Sequence, residues 1–184
     1  MVVLLKNDLG NNMSKLFIGL SGKMCVGKST ISHLLQSALE NAGIMSLASP
    51  IYKGQDILYN QYDLKLKGDK DRDLLIAIGL WGRAISPDFW LEQFAKDSIN
   101  SNFDIIICDD IRFPNEADFF KKHGVLFRIE GEQRGDNVDL SRSKDATECA
   151  LDSYKFDNVI INDKSPAEMC KQIALIMGGS NESE

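Results

Sequence analysis

The sequence has few residues suited to metal or disulfide chemistry. Its four cysteines are widely spaced and form no C-x-x-C pair, so neither a zinc site nor a redox pair is expected. Its two histidines, His33 and His123, also lack the spacing of metal ligands and are expected to be structural. We therefore expect reduced thiols at all four cysteine positions, Cys25, Cys108, Cys149 and Cys170.

Long apolar runs and an excess of positive charge are missing as well. No stretch reaches the roughly 18 consecutive apolar residues of a membrane-spanning helix, and the apolar run Val2–Leu5 is too short for the core of a signal peptide. Lysine and arginine number 21 against 27 aspartates and glutamates, which gives a net charge of −6. Proteins that coat nucleic acid or anionic membranes are normally basic. We expect neither partner and a cytoplasmic location, although a local cationic pocket is compatible with this charge.

What the sequence does contain is a regular alternation of apolar runs and helical patterns along its 184 residues. This alternation predicts one α/β domain, residues 1–184, with a parallel sheet of about five strands flanked by helices. The predicted strands are Leu16–Leu20, Ile44–Ala48, Asp104–Cys108, Val125–Ile129 and Asn158–Ile161. The predicted helices are Lys28–Ala42, Asn115–His123 and Pro166–Met177, and each is expected to end at the glycine that follows it, Gly43, Gly124 and Gly178 respectively. An alternative start at Met13 would begin the chain just before the first of these strands.

Two segments interrupt this alternation. Residues 50–102 form a long, mainly helical insert between the second and third predicted strands, and residues 131–154 form a charged insert. Inserts on an α/β core commonly carry the residues that bind a substrate. We therefore expect both inserts to contribute to a ligand site.

The most specific motif is GKMCVGKST (Gly22–Thr30), which fits G-x-x-x-x-G-K-[ST] between a predicted strand and a predicted helix. Its glycines let backbone N–H groups turn inward toward phosphate oxygens, and the start of the following helix adds positive potential. Lys28 is predicted to bind between the β- and γ-phosphates of ATP, and the Ser29 hydroxyl to ligate Mg²⁺. The predicted ATP-binding residues of this loop are Gly22, Lys23, Cys25, Val26, Gly27, Lys28, Ser29 and Thr30.

Two aspartates follow the third predicted strand. Asp109 and Asp110 lie where the carboxyl ends of parallel strands form a ligand-binding crevice. A carboxylate there can hold Mg²⁺ through water or activate an acceptor oxygen. Both aspartates are therefore candidate metal ligands, and Asp110 is a candidate catalytic residue. Alternatively, the pair caps a turn, as aspartate commonly does.

Three further segments resemble a known family. IRFPNEADFFKKHGVLFRIEG (Ile111–Gly131), GLWGRAISPDFWLEQFAKD (Gly79–Asp97) and TECALDSYKFDNVIIND (Thr147–Asp163) are similar to segments of bacteriophage-type deoxynucleoside monophosphate kinases. Together with the phosphate-binding motif they cover most of residues 16–163 in the order of that family. The stretch Asp145–Asn162 also resembles animal phosphomevalonate kinases, which share the P-loop architecture but lack the RFPNEA segment.

The resemblance implies transfer of the γ-phosphoryl group of Mg²⁺-ATP to a deoxynucleoside monophosphate, which gives ADP and a diphosphate. Arginine suits this task because its planar fork binds phosphate bidentately. Arg83 and Arg112 are the candidates for gripping the acceptor phosphate, and Arg134 and Arg142 for closing on the transferring group. The implied catalytic residues are Lys28, Asp110, Arg112, Arg134 and Arg142.

The resemblance also implies contacts with the two nucleotides. The acceptor-binding residues would be Arg83, Asp88, Trp90, Arg112 and Glu148, and the adenine contacts Asn162 and Lys164. Two of these have an alternative interpretation. Trp90 could pack inside the helical insert, because aromatic side chains dominate cores, and Glu148 could cap a helix.

Three classes of function remain open at this point. The first is the nucleotide kinase, for which a homodimer is a possible assembly, since small kinases of this build can pair. The second is a kinase of another small phosphate, such as phosphomevalonate. The third is a nucleotide-binding switch without turnover, which is disfavoured because the sequence contains no N-K-x-D guanine motif. A phage-borne gene would place the protein in the host cytoplasm.

Overall fold

A computed structural model describes residues 3–6, 12–66, 68–133, 150–163 and 165–178 of the chain. The strands are β1 (Val3–Lys6), β2 (Asn12–Ser21), β3 (Ala42–Ile44), β4 (Ile105–Cys108), β5 (Gly124–Gly131) and β6 (Asn158–Asn162). The helices are α1 (Lys28–Ala38), α2 (Ser49–Gln61), α3 (Arg72–Ile85), α4 (Phe89–Asn100), α5 (Pro114–His123) and α6 (Pro166–Gly178).

Five of these strands form the predicted parallel sheet, in the order β3–β4–β2–β5–β6. β1 adds an antiparallel pairing to the first half of β2, with Val3 opposite Lys15. The predicted α/β architecture is thereby confirmed. Four predicted strands fall within or almost within β2, β4, β5 and β6.

The sheet is covered on both faces, which explains why its strands are continuous apolar runs. On one face, Ile18 and Phe127 pack with Ile31 of α1 and Ile173 of α6. On the other face, Phe17, Ile106 and Leu126 pack with side chains of α4 and α5. The loops that follow the carboxyl ends of the parallel strands consequently lie along one edge of the sheet, between the two helical layers.

The second strand and the helix before it differ from the prediction. α1 ends at Ala38 rather than Ala42, and β3 occupies 42–44 rather than Ile44–Ala48. Leu39 is already extended and Asn41 is left-handed, with a φ of 50°. Gly43 is therefore a strand residue rather than a helix stop, and the Phe103 ring occupies the space that a side chain at position 43 would need.

The predicted helical insert consists of α2, α3 and α4. α3 and α4 approach closely because Gly82 leaves room for the Trp90 indole ring. Among the described residues no single helix is long and apolar enough to span a membrane. α3 and α4 pass that test of length and composition only as a pair, and they are bent by 96°.

Candidate active site

A cleft of about 490 Å³ opens at the carboxyl edge of the sheet. The loop between β2 and α1 forms one wall of this cleft. The connection between β4 and α5, residues 109–112, forms another, and Arg128 of β5 and Leu151 complete the lining. The topology thus brings the glycine-rich motif and the two strand-end aspartates to one place, as the sequence predicts.

The glycine-rich loop has the backbone of a phosphate-binding turn. Cys25 and Gly27 are left-handed, with φ values of 61° and 94°. Gly22 lies so close to the carbonyl oxygen of Ile129 that no Cβ fits there. α1 then begins at Lys28 without a side-chain cap, so the positive end of its dipole is directed at the cleft. Such a helix start is suited to binding an anion.

Lys28 is held across this loop. Its ammonium group donates to the carbonyl oxygens of Gly22 at 2.8 Å and Lys23 at 2.7 Å. These two bonds fix the position of a positive charge inside the turn. Because the long side chain is already held in one conformation, it loses little conformational freedom when it binds a phosphate.

Asn162, which the resemblance implies as an adenine contact, contacts the glycine-rich loop. Its side chain is buried, and its amide nitrogen donates to the carbonyl oxygen of Val26 at 2.7 Å. The same nitrogen would lie 2.8 Å from a Cβ at Gly27. Asn162 therefore braces the phosphate-binding loop from β6, and Gln133 braces it again by donating to the carbonyl oxygen of Met24 at 2.8 Å.

The two strand-end aspartates have different environments. Asp110 accepts hydrogen bonds from the Ser46 hydroxyl at 2.6 Å and from the backbone N–H groups of Leu47 and Ala48, both at 3.0 Å. Burial raises the pKa of the Cys108 thiol, which therefore stays protonated and lies 3.0 Å from Asp110. Asp110 thus holds the turn before α2. Asp109 lines the cleft and contacts no other side chain by hydrogen bond or ion pair in the described chain.

This contrast predicts opposite effects for two equivalent substitutions. Asp110→Asn should destabilise the fold by about 1–3 kcal/mol, because the amide cannot accept from all its present donors. Asp109→Asn should leave the melting temperature unchanged and raise the Mg²⁺ concentration needed for half-maximal activity about tenfold. Thermal unfolding and Mg²⁺ titration of both variants would check this. If instead Asp110→Asn raised the Mg²⁺ requirement and Asp109→Asn lowered the melting temperature, Asp110 rather than Asp109 would be the metal ligand.

The oxygen groups at the cleft fit Mg²⁺ held mainly by a nucleotide. Mg²⁺ usually takes one or two protein oxygens together with phosphate oxygens and water, rather than a complete protein cage. Ser29 and Asp109 both line the cleft and offer a hydroxyl and a carboxylate. The described residues contain no cluster of three or more His, Cys, Asp or Glu side chains able to hold a metal by themselves.

Both predicted acceptor-binding arginines lie near the start of α5, one on the Phe113 ring and the other in the cleft lining. The Arg83 guanidinium stacks over the Phe113 ring, with its central carbon 4.4 Å from the ring centroid. Arg112 is exposed and lines the cleft. Glu116 is buried beneath them and accepts from the backbone N–H groups of Arg112 at 2.8 Å and Phe113 at 3.0 Å. This carboxylate fixes the backbone that carries Arg112, and sequence reasoning missed it.

Glu116 should make the stability of the protein depend on pH. Burial raises the pKa of its carboxyl above the ordinary range, although its two backbone hydrogen bonds oppose that shift. The folded protein therefore keeps this proton to a higher pH than the unfolded chain. The resulting stabilisation is complete below the ordinary pKa of about 4.3 and disappears as pH rises through the raised value.

Glu116→Gln tests this directly. The amide oxygen can still accept from the backbone but cannot ionise, so the variant should gain stability relative to wild type as pH rises. Urea unfolding of both proteins across that range gives the difference in the free energy of unfolding. A difference that does not change with pH would show that burial does not control this carboxyl.

Asp88 and Trp90 lie outside the cleft. Asp88 accepts from the Asn115 amide at 2.8 Å and so ties the start of α4 to the start of α5. Trp90 is only 6% exposed, and its indole N–H donates to the Gly79 carbonyl oxygen at 2.9 Å. This burial supports the alternative interpretation of Trp90, in which its ring packs between α3 and α4 rather than against a nucleobase.

Several predicted site residues fall outside the residues that the structure describes. They are Arg134, Arg142, Glu148 and Lys164, together with Cys149. Their predicted roles in the charged insert, residues 131–154, and at the adenine remain predictions. Two described residues of that insert, Gln133 and Leu151, both lie beside the glycine-rich loop.

Two charged residues of the site were not predicted. Arg128 lies on β5 and lines the cleft, and Asp152 forms an ion pair with Lys23 of the glycine-rich loop at 2.6 Å. A signal for Arg128 was present in the sequence. It is the one charged residue in the run VLFRI. Arginine is rarely buried unless its charge is paired, so its presence in a buried strand indicates a polar partner or a ligand.

Comparison with known proteins supports the fold. No family model matches the sequence, and a search of curated proteins finds no match either. Solved structures do match. Shikimate kinase from Aquifex aeolicus has a TM-score of 0.54 at 20% identity, with 92% of this chain and 100% of that chain covered. Thymidylate kinase from Candida albicans has a TM-score of 0.54 at 13% identity, with coverages of 90% and 92%.

A third similar structure is a sugar kinase from Janibacter sp. HTCC2649, with a TM-score of 0.51 at 15% identity and coverages of 90% and 95%. The three proteins are named for different acceptors, so their similarity carries information about architecture and none about which acceptor is used here. Taken with the strand order and the glycine-rich loop between β2 and α1, these matches show that the chain has the α/β fold of the P-loop kinases.

Proposed function

We propose that the protein is an ATP-dependent kinase that transfers the γ-phosphoryl group to a deoxynucleoside monophosphate. The observation that carries this proposal is the sharing of one cleft by Lys28 of the glycine-rich loop and Arg112 of the opposite wall. The first suits the phosphates of ATP, and the second suits a phosphate on the acceptor. Mg²⁺ bound with the ATP would neutralise charge on the β- and γ-phosphates, with Ser29 and Asp109 as its protein oxygens.

The donor site follows from the loop and its braces. The inward-turned backbone and the start of α1 provide N–H groups for phosphate oxygens, and Lys28 adds a full positive charge. Asn162 and Gln133 restrain the loop from outside through the carbonyl oxygens of Val26 and Met24. A loop held in advance loses little freedom when the nucleotide binds, which favours binding.

The acceptor site follows from the two arginines near Phe113. Arg112 lines the cleft, whereas Arg83 stacks on the neighbouring Phe113 ring and is not part of the cleft lining. Positive charge on this wall favours an acceptor that itself carries negative charge, rather than a neutral hydroxyl compound. Arg112 is positioned through its own backbone by Glu116, and Arg83 by stacking on the Phe113 ring. Phosphate binding by guanidinium is bidentate, so these residues would orient the acceptor as well as attract it.

The reaction needs alignment and charge neutralisation more than covalent chemistry. An oxygen of the acceptor monophosphate attacks the γ-phosphorus and forms a new P–O bond. The bond between the γ-phosphorus and the bridging oxygen breaks, and ADP leaves with that electron pair. The acceptor becomes a diphosphate. The cations around the cleft stabilise the charge that spreads over the transferring group.

A screen for acceptor-dependent ADP formation tests the proposal. The purified chain and Mg²⁺-ATP would be mixed with each deoxynucleoside monophosphate, with the ribonucleoside monophosphates, and with phosphomevalonate. We expect ADP release above background with one or more of the deoxynucleotides. Activity with phosphomevalonate alone would support the other kinase class. ADP release that no acceptor increases would indicate a nucleotide hydrolase or switch.

A further inference from the structure

Arg128 is a buried cation without close partners. Only 9% of the residue is exposed, and its neighbours on β5, Phe127 and Ile129, are fully buried apolar side chains. Within the described chain its hydrogen-bond and ion-pair partners are the Ser21 hydroxyl at 3.5 Å, an Asp152 carboxylate oxygen at 3.6 Å and a Glu130 carboxylate oxygen at 3.8 Å. Charge-assisted bonds to arginine are normally about 2.7–2.9 Å long. The guanidinium therefore keeps unused hydrogen-bonding capacity.

The free side of this guanidinium is directed at the cleft. Arg128 lines the cleft, and it is paired in register with Ser21, the residue immediately before the glycine-rich loop. Side chains alternate along β5, so Arg128 shares a face of the sheet with Leu126, which packs with Ile111 and Leu151. α1 covers the opposite face. Arg128 accordingly lies on the side of the cleft that carries Arg112.

A buried charge of this kind is unfavourable until an anion joins it. Removing a guanidinium from water is costly unless short, well-aligned partners replace the water. Asp152 is a weak partner here, because it is about half exposed and also bound to Lys23 at a shorter distance. An anion in the cleft would supply the missing partner. The Phe156 ring, 5.4 Å from the guanidinium carbon, limits sideways movement of the group.

We propose that Arg128 is a further phosphate-binding residue of this cleft. From its position on β5, beside the start of the glycine-rich loop, it contacts the transferring phosphoryl group or the acceptor phosphate. Asp152 is a positioning residue in this proposal, since it links Arg128 to Lys23 of that loop. The identity of the anion rests on the proposed kinase function. The binding of an anion by Arg128 does not.

Substitution by methionine separates this role from a structural one. Methionine fills a similar volume without charge, and Asp152 would keep Lys23 as its partner. Arg128→Met should therefore have a melting temperature equal to or above that of wild type. Its kcat should fall about 10²-fold, the usual minimum for removing one donor to the transition state. Arg128→Lys keeps the charge without the planar fork and should recover part of the lost activity.

A binding measurement provides a readout other than turnover. Inorganic pyrophosphate should raise the melting temperature of the wild-type chain and raise that of Arg128→Met much less. Lys121→Met is the matched control, because Lys121 is an exposed cation near the opposite end of β5 and pairs only with Asp157 among the described residues. This control should behave like wild type in both measurements.

The outcomes distinguish the two proposals. An active wild type with an equally active Arg128→Met would overturn the role of Arg128 and leave the kinase function standing. A wild type that transfers to no acceptor, yet loses pyrophosphate stabilisation in Arg128→Met, would overturn the kinase function and leave the anion site. An Arg128→Met variant that fails to fold, with Arg128→Lys fully active and pyrophosphate-stabilised like wild type, would show that the arginine is structural.

Discussion

Lys28→Met should lower the rate of phosphoryl transfer by about 10²–10³-fold while leaving the protein folded. The reason is the position of the ammonium group, which lies inside the glycine-rich turn at 2.8 Å from the carbonyl oxygen of Gly22. A positive charge that is already fixed at this position stabilises the negative charge that develops on the phosphates in the transition state. Losing its two hydrogen bonds costs about 1 kcal/mol each at most, since the group is partly exposed. Steady-state kinetics with Mg²⁺-ATP and thermal unfolding of the same preparation would measure both effects.

Lys171→Met is the control for this experiment. Lys171 is an exposed lysine on α6, which packs on the sheet face away from the acceptor-side arginines. The control removes the same charge and should keep wild-type kinetics. If Lys28→Met also keeps wild-type turnover, the glycine-rich loop does not bind the transferred phosphate, and the proposed donor site is wrong.

The second large effect concerns the acceptor. Arg112→Lys should raise the KM for the monophosphate roughly 10- to 150-fold, which corresponds to loss of one charge-assisted hydrogen bond of about 1.5–3 kcal/mol. Lysine keeps the charge but lacks the planar fork that binds two phosphate oxygens. The KM for ATP should change little, because Arg112 lies on the wall opposite the glycine-rich loop. Arg83→Lys should act in the same direction, since it also loses its stacking on Phe113.

Separate titrations of ATP and of the monophosphate would measure these effects. Arg72→Lys is a matched control, because Arg72 is an exposed arginine at the start of α3 and does not line the cleft. It should leave both KM values unchanged. Equal weakening of ATP and monophosphate in Arg112→Lys, or weakening of ATP alone, would refute the assignment of this wall to the acceptor.

The sequence was sufficient for the architecture because the evidence for it is local. Runs such as Leu16–Leu20 are apolar at every position rather than at alternate positions. This pattern is typical of a strand that is covered by helices on both faces of the sheet. The motif at Gly22–Ser29 combines its spacing with a strand before it and a helix after it, so its conformation could be predicted as well. Gly43 misled the prediction because a glycine signals a helix stop in sequence, whereas here it makes room for the Phe103 ring.

Individual site residues were harder to assign, because their roles depend on contacts between distant segments. The sequence gives no reason to assign different roles to Asp109 and Asp110. In the structure, Asp110 accepts hydrogen bonds from the turn at Ser46–Ala48, more than 60 residues earlier in the chain. The hydrogen bond from Asn162 to Val26 joins residues 136 positions apart, which no local pattern reveals. The run VLFRI marks Arg128 as unusual, but only the pairing of β5 with β2 places it beside the glycine-rich loop.

The proposed reaction moves the γ-phosphate of ATP onto the monophosphate, and a label on that phosphate shows directly where it goes. The wild-type chain would be incubated with Mg²⁺ and ATP labelled in the γ-phosphate, together with the deoxynucleoside monophosphate that gives most ADP, and the products separated by charge. We predict that the label appears in the deoxynucleoside diphosphate in an amount equal to the ADP formed, and that Lys28→Met lowers its rate of appearance by about 10²–10³-fold. Label recovered only as inorganic phosphate, at a rate that the monophosphate does not change, would contradict the proposed function.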